Sequence, residues 1–338
     1  MNGSLTRFFV FMLFLSCSGA SRGVPSWVTD GKSKDFPDSA FIVGFGQGDT
    51  PEAAADRARA EIAKLFRVEV SQTTETTEKY TEVESAKGFA AIKQIDASAI
   101  TEAATEKTLE GAEVALKYFK NGAHYALVAL DRAKASAALR EKIDGLKKEL
   151  ADIKKGIEKC APLECVRGHI MAMRRLAELA SLNGDYRIIT GEGVWKPGNE
   201  IFKHEEAVRK ILENDVAMGV EIENDENGCL SGALKGLLAE KGFFIRESPP
   251  YDVKINGFLK IEQVERPKSE YKWVRLELRL SAEKGDGTDL CGSAVNEEIG
   301  HNGYEQARDR ALYLAKKSHL VYFIETLWNK LFGEIKDD

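Results

Sequence analysis

Residues 41–72, FIVGFGQGDTPEAAADRARAEIAKLFRVEVSQ, constrain the fold of this chain more than any other stretch. A short apolar run ends in Gly44-Phe45-Gly46-Gln47-Gly48. Thr50-Pro51-Glu52 then opens an alanine-rich amphipathic segment, and a second apolar run follows at 67–72. The order reads strand, glycine turn, helix, strand. Thr50 fits a helix N-cap, with Pro51 at the first helical position, where a missing N–H costs nothing. Ala54, Ala58, Ile62 and Leu65 recur near helical spacing, which carries the helix to about residue 66. Val68 and Val70 alternate with polar neighbours, as in a half-buried strand.

A glycine-rich segment before a helix invites a nucleotide-binding reading, and the spacing rejects it. A dinucleotide fingerprint needs a third small residue so that helix and strand pack closely. Counted from Gly44 that position is Asp49, and counted from Gly46 it is Pro51. A carboxylate there would also repel a phosphate from the helix N-terminus. The stretch reads as a glycine turn with a helix cap.

Residues 1–17 bear on where the chain goes. Arg7 is followed by eight continuous apolar residues at 8–15. A membrane span needs about 20, so the run matches the apolar region of an export signal. Two cleavages fit. One follows Ser16 and leaves Cys17 for lipid attachment, as in a palmitate-bearing lipoprotein. The other follows Ala20 and leaves a soluble chain. The 338-residue sequence carries a net charge of −6, and loss of Arg7 with the signal makes it −7. A mildly acidic chain lacks the basic face of a nucleic-acid binder. Apolar content of 43% and charged content of 30% are ordinary for a globular protein.

Beyond Cys17 the cysteines are Cys160, Cys165, Cys229 and Cys291. An even number in an oxidising compartment points to disulfides, with three connectivities open. Cys160 and Cys165 flank Ala-Pro-Leu-Glu, a tight loop between two helices, which leaves Cys229 and Cys291 to pair by default. Neither pair has zinc-ligand spacing.

Along the rest of the chain, 73–86 is polar and reads as a strand extension or loop, and 89–110 as a helix. The segments 114–119 and 124–130 flank Asn121-Gly122, which prefers a tight primed turn and predicts a hairpin. Asp131 caps a long helix through Leu139, Ile143, Leu146, Leu150 and Ile153. A second helix covers about 166–182, so the pair forms a helical hairpin, either a spacer or a platform on the first domain. Residues 186–198 read as irregular. Then come a strand at 216–222, a helix at 230–238 stopped by Lys241-Gly242, and strands at 243–246, 253–261, 273–280 and 290–298. A long terminal helix covers 304–332, with an apolar stripe through Ala307, Ala311, Leu314, Leu320, Phe323, Ile324, Leu327 and Leu331. This order predicts a mostly antiparallel sheet with helices on one face. The expected fold class is α+β, with two small sheet-plus-helix domains joined by a helical hairpin. The expected segments are a signal at 1–16, a tether at 17–37, a domain at 38–135, the hairpin at 136–185 and a second domain at 200–333.

Catalytic signatures are missing from the sequence. His124, His169, His204, His301 and His319 lie outside HExxH spacing, and His204-Glu205-Glu206 reads as a polar helix face. Ser231 sits in Leu-Ser-Gly-Ala, which is a helix start and not a nucleophile elbow. Glu223, Asp225 and Glu226 cluster after a strand without the spacing of a calcium loop. The reading is a chain with no catalytic residues, no metal and no cofactor.

With these residues in view, the first half resembles the LPP-twenty lipoprotein family, small envelope lipoproteins of Gram-negative bacteria. The matching features are Pro25-Ser26-Trp27, Ile42-Val43-Gly44-Phe45-Gly46, Pro51-Glu52-Ala53-Ala54-Ala55, Ala58-Arg59-Ala60-Glu61-Ile62-Ala63, Val68-Glu69-Val70-Ser71 and the run from His124 to Arg132. Residues 216–332 are more loosely similar to a small α/β domain of envelope secretion lipoproteins and TolB-like proteins. The resemblance implies a non-enzymatic lipoprotein acylated at Cys17, facing the periplasm or displayed from the outer membrane. The expected function is a structural or assembly component held to the membrane by its lipid, with envelope proteins or further copies of itself as partners. Its binding surfaces would be sheet edges and the hairpin at 121–122. The alternative is a soluble periplasmic module for a small ligand or peptidoglycan fragment.

Overall fold

A computed structural model describes residues 24–82, 111–196, 198–225 and 227–333. The signal segment, Cys17 and the helix expected at 89–110 lie outside the described residues. The chain forms an α+β fold with two compact units. One takes the residues up to Glu61 together with Glu113–Ala129, and the other takes the remainder.

The first unit is built from α1 (Ser26–Asp30), β1 (Phe41–Gly48), the start of α2 (Pro51–Glu82), β2 (Glu113–Lys120) and β3 (Ala123–Asp131). Its three-stranded sheet has the order β1-β3-β2. The expected hairpin is present, with Tyr118 opposite Tyr125 and Lys120 opposite Ala123. Asn121 and Gly122 have φ of 54° and 77°, the paired positive values a primed turn requires.

The glycine turn expected at 44–48 is not a turn. The strand runs straight through it to Gly48. Residues alternate as a strand demands: Ile42, Gly44, Gly46 and Gly48 are buried on one face, and Phe41, Val43 and Phe45 lie half-buried on the other. The glycines answer to α2. A Cβ at Gly46 would collide with the backbone of Ala54 and Ala58, and one at Gly48 with Ala53 and Ala54. The helix reciprocates with buried Ala54, Ala55 and Ala58. The real turn is only Asp49-Thr50, where the Thr50 hydroxyl accepts the Ala53 N–H at 3.1 Å.

The opposite face of this sheet is aromatic. The Trp27 ring meets Phe45 edge-on at 6.4 Å, Phe45 stacks on Tyr125 at 6.3 Å, and Tyr125 lies 6.2 Å from Tyr118. Phe36 packs on Phe41 at 5.1 Å. The stretch expected to be a tether up to residue 37 is therefore folded from Ser26 onward, because Trp27 and Phe36 cover apolar sheet surface.

The strand expected at 68–72 is also corrected. α2 continues without a break to Glu82. No Gly or Pro occurs between Glu52 and Lys87, so nothing stops the helix once Pro51 has started it.

The second unit takes the rest of α2 and then three helices, α3 (Arg132–Ile157), α4 (Pro162–Thr190) and α5 (Glu200–Asn214). The Asp131 carboxylate accepts the Lys134 N–H at 3.0 Å and caps α3 as expected. α4 outruns its expected end and carries 186–190, and Gly191 at φ 88° terminates it. Next come β4 (Ala217–Glu223), α6 (Cys229–Glu240), β5 (Phe244–Ile245), β6 (Val253–Val264), β7 (Lys272–Lys284) and β8 (Asp289–His301). The chain closes with α7 (Tyr304–Leu314), a π-helical turn (Ala315–His319) and α8 (Leu320–Phe332). The sheet order is β5-β4-β6-β7-β8. β4 is parallel to both neighbours, while β6, β7 and β8 run antiparallel. The sheet is thus mixed, because the α6 crossover returns the chain in the direction of β4.

One face of the sheet carries the core. Val253, Ile255 and Leu259 of β6 and Val274, Leu276, Leu278, Leu280 and Ala282 of β7 pack with Leu230, Leu234 and Leu238 of α6 and with the terminal helix. Val166, Ile170 and Met173 of α4 and Val208 and Leu212 of α5 belong to the same cluster. The helical hairpin is therefore built into this unit's core.

The glycine–alanine contact gives a direct test. Gly46→Ala should destabilise the protein by about 2 kcal/mol or more, because the added methyl meets backbone that cannot yield. Gly145→Ala, exposed on α3 with nothing within 4 Å of the new methyl, should stabilise by about 0.5–1 kcal/mol. Urea unfolding of both variants checks the opposed signs.

Candidate functional site

The hairpin that closes the first unit presents an edge strand and an exposed aromatic ring at its tip. Among the described residues β2 pairs with β3 alone, so its outer row of N–H and C=O groups has no strand partner. A register shift between Val114 and Leu116 bends this edge, and exposed Lys117 and Lys120 flank its outer half. Bulges and lysines are the usual guards on an edge that must not aggregate. Phe119 at the tip is 58% exposed, with its ring 4.5 Å from His124. The edge offers backbone hydrogen bonds to an added strand and the Phe119 ring as an apolar anchor.

A second polar feature lies inside the other unit. His169 on α4 and His204 on α5 meet at 2.7 Å between their Nδ1 atoms. One ring donates and the other accepts. His204 is 9% exposed, and its pKa is lowered to about 4, first by burial and then by His169 and Lys154, against a smaller opposing effect of Glu200. Burial also lowers His169. Lys154 bonds Glu200 at 2.9 Å beside the pair. The expectation of a polar face at His204 is overturned. His204, Val208 and Leu212 recur every fourth residue, which puts the histidine on the buried stripe, a signal present in the sequence.

The acidic cluster after β4 has a structural task. The Asp225 carboxylate accepts N–H bonds from Cys229, Leu230 and Ser231 and the Ser231 hydroxyl at 2.8–3.0 Å. Burial pushes its pKa up, but the bonds from Ser231, Leu230 and Cys229 win and hold it below the usual carboxylate range. Asp225 caps α6. Glu223 is exposed at the end of β4, and Glu226 lies outside the described residues. Among the described residues no group of three or more His, Cys, Asp or Glu is placed to hold a metal. His301 accepts the Asn302 N–H at 2.9 Å, and His319 lies 3.6 Å from Glu297.

Cys160 and Cys165 form a disulfide across the start of α4. Cys229 and Cys291 are free thiols, so the pairing expected by default does not form. Cys229 touches Lys316 at 2.7 Å, whereas Cys291 feels the charge of Lys330. Those two lysines stand fourteen residues apart along the terminal helix, about 20 Å at helical rise. Burial raises the Cys291 thiol pKa.

Residues 25–131 match the model of the LPP20 lipoprotein family. No curated protein matches the chain. A secreted protein of Helicobacter pylori aligns with 87% of this chain and 99% of its own length, at 12% identity and a TM-score of 0.43. A minor lipoprotein of Acinetobacter baumannii aligns with 34% of this chain and 90% of its own, at 11% identity and a TM-score of 0.26.

The histidine pair sets a pH dependence. Its folded pKa lies below the value near 6.5 of an unfolded histidine, so the unfolded chain takes up the proton first. His204 contributes no pH dependence above about pH 6.5 and removes stability as pH falls toward 4. Urea midpoints at pH 7.5, 5.5 and 4.5 should fall steeply over this window in the wild type and less steeply in His204→Gln.

Proposed function

We propose that this chain is a non-catalytic, lipid-anchored component of a bacterial envelope that works by presenting surfaces to partner proteins. The observation that carries the reading is the match of residues 25–131 to a lipoprotein family, placed directly behind a signal-like segment and Cys17. The helix Ser26–Asp30 starts nine residues after Cys17. Nine residues span about 30 Å at full extension, so acylation of Cys17 would hold the first unit close to a bilayer. No helix among the described residues is long and apolar enough to cross a membrane. Stable anchoring takes two or more acyl chains, as a fully processed N-terminal cysteine would carry.

The outer membrane is the proposed location. The unpaired β2 edge and Phe119 supply the proposed contact surface, through strand addition to an envelope partner. The arrangement offers backbone hydrogen-bond donors and acceptors and an apolar anchor.

Intact mass and membrane fractionation of the full chain expressed in a Gram-negative host test the anchor. The wild type should carry acyl mass on Cys17 and sediment with membranes, and Cys17→Ala should lose both. A wild-type chain that begins at Ser21 and remains soluble would overturn the anchor.

A further inference from the structure

Two side chains the proposed function does not use face each other in the second unit. Cys229 is the first residue of α6 and Lys316 the second residue of the π-helical turn. Their Sγ and Nζ atoms are 2.7 Å apart. That separation is at the short end even for a bond to oxygen, and sulfur is the larger atom. Both side chains are half-buried, enclosed enough to be held and open enough for a small oxidant to reach.

Each atom is fixed from its own side. Asp225 accepts the N–H groups of Cys229, Leu230 and Ser231, which pins the first turn of α6. On the other side, the buried stripe of the terminal helix steps from Ala307 to Ala311 to Ala315, and then jumps five residues to Leu320. The extra residue is absorbed by the π-helical turn, a form frequent at functional sites. Ala315 and Leu320 are both fully buried. The turn between them is therefore locked in the core, and Lys316 is aimed at the thiol from it.

We propose that Cys229 and Lys316 form a covalent sulfur–oxygen–nitrogen bridge when the protein meets dioxygen. In the balanced step, the thiol gives up its S–H bond and the amine one N–H bond. One oxygen atom of dioxygen is inserted between Sγ and Nζ, and the other leaves as water. Sulfur and nitrogen each lose two electrons, and dioxygen gains the four. When the lysine starts as an ammonium, its additional proton goes to solvent. Two equivalents of a dithiol reverse the change, releasing thiol, amine and water. The bridge would tie the start of α6 to the terminal helix, the two elements that cover the same face of the sheet. It needs no lipid anchor and stands apart from the proposed function.

The test is peptide mapping by mass spectrometry of the purified full chain held in air-saturated buffer, with and without dithiothreitol. The expected product is a cross-linked peptide pair containing Cys229 and Lys316, heavier than the sum of the two peptides by one oxygen less two hydrogens. Dithiothreitol should remove it. Lys316→Arg and Cys229→Ser should lack it, and Cys291→Ser should keep it. Circular dichroism of the variants separates a lost bridge from a lost fold, and the wild-type map stands without them. Cys229 found unmodified in the wild type, or carrying whole oxygen atoms without a link to Lys316, would overturn the proposal.

Discussion

The first unit depends on how closely a helix can approach a strand. α2 lies against β1 at a distance that admits no side chain on either backbone beyond a methyl. Gly46 and Gly48 clear one side, and Ala54, Ala55 and Ala58 clear the other. Everything else in the unit is placed by this contact. The strand cannot shift by one residue without driving Phe45 or Val43 into the helix. The same alternation sends Phe41, Val43 and Phe45 to the opposite face, where Trp27, Tyr125 and Tyr118 complete an aromatic layer. A sheet of three strands gains a covered surface on both sides.

The second unit is organised by polar groups as much as by its apolar core. Asp225 gathers the first N–H groups of α6. The histidine pair joins α4 to α5. The π-helical turn lets one long helix keep its buried stripe over a sheet of changing direction while aiming Lys316 at Cys229. An unpaired polar group in such surroundings would cost more than the bond contributes, which accounts for how tightly these partners are matched.

Much of this fold is legible in the residues, for reasons that differ by element. The hairpin at 121–122 is local: Asn-Gly accepts positive φ, and the flanking alternation does the rest. The Asp131 cap, the Lys241-Gly242 stop and the terminal stripe are local in the same way. The glycines of β1 mislead because their cause is a helix that packs on them, which spacing along the strand does not reveal. Val68-Glu69-Val70 misleads because an alternation of three residues is compatible with a helix that has no reason to stop. His204 is different again, since its four-residue spacing to Val208 and Leu212 points inward and only its polarity argues otherwise. The Cys229–Lys316 contact joins residues far apart in the chain through a helical irregularity, and nothing in the local pattern announces it.

In the proposed function the first unit is held near a membrane by its lipid, with the β2 edge as the working surface. A photoreactive amino acid placed at Phe119 in living Gram-negative cells tests this most directly, with the exposed Gly145 position of α3 as the comparison. Discrete cross-linked species are expected from position 119, and none of the same size from position 145. The same pattern from both positions, or none from position 119, would contradict it.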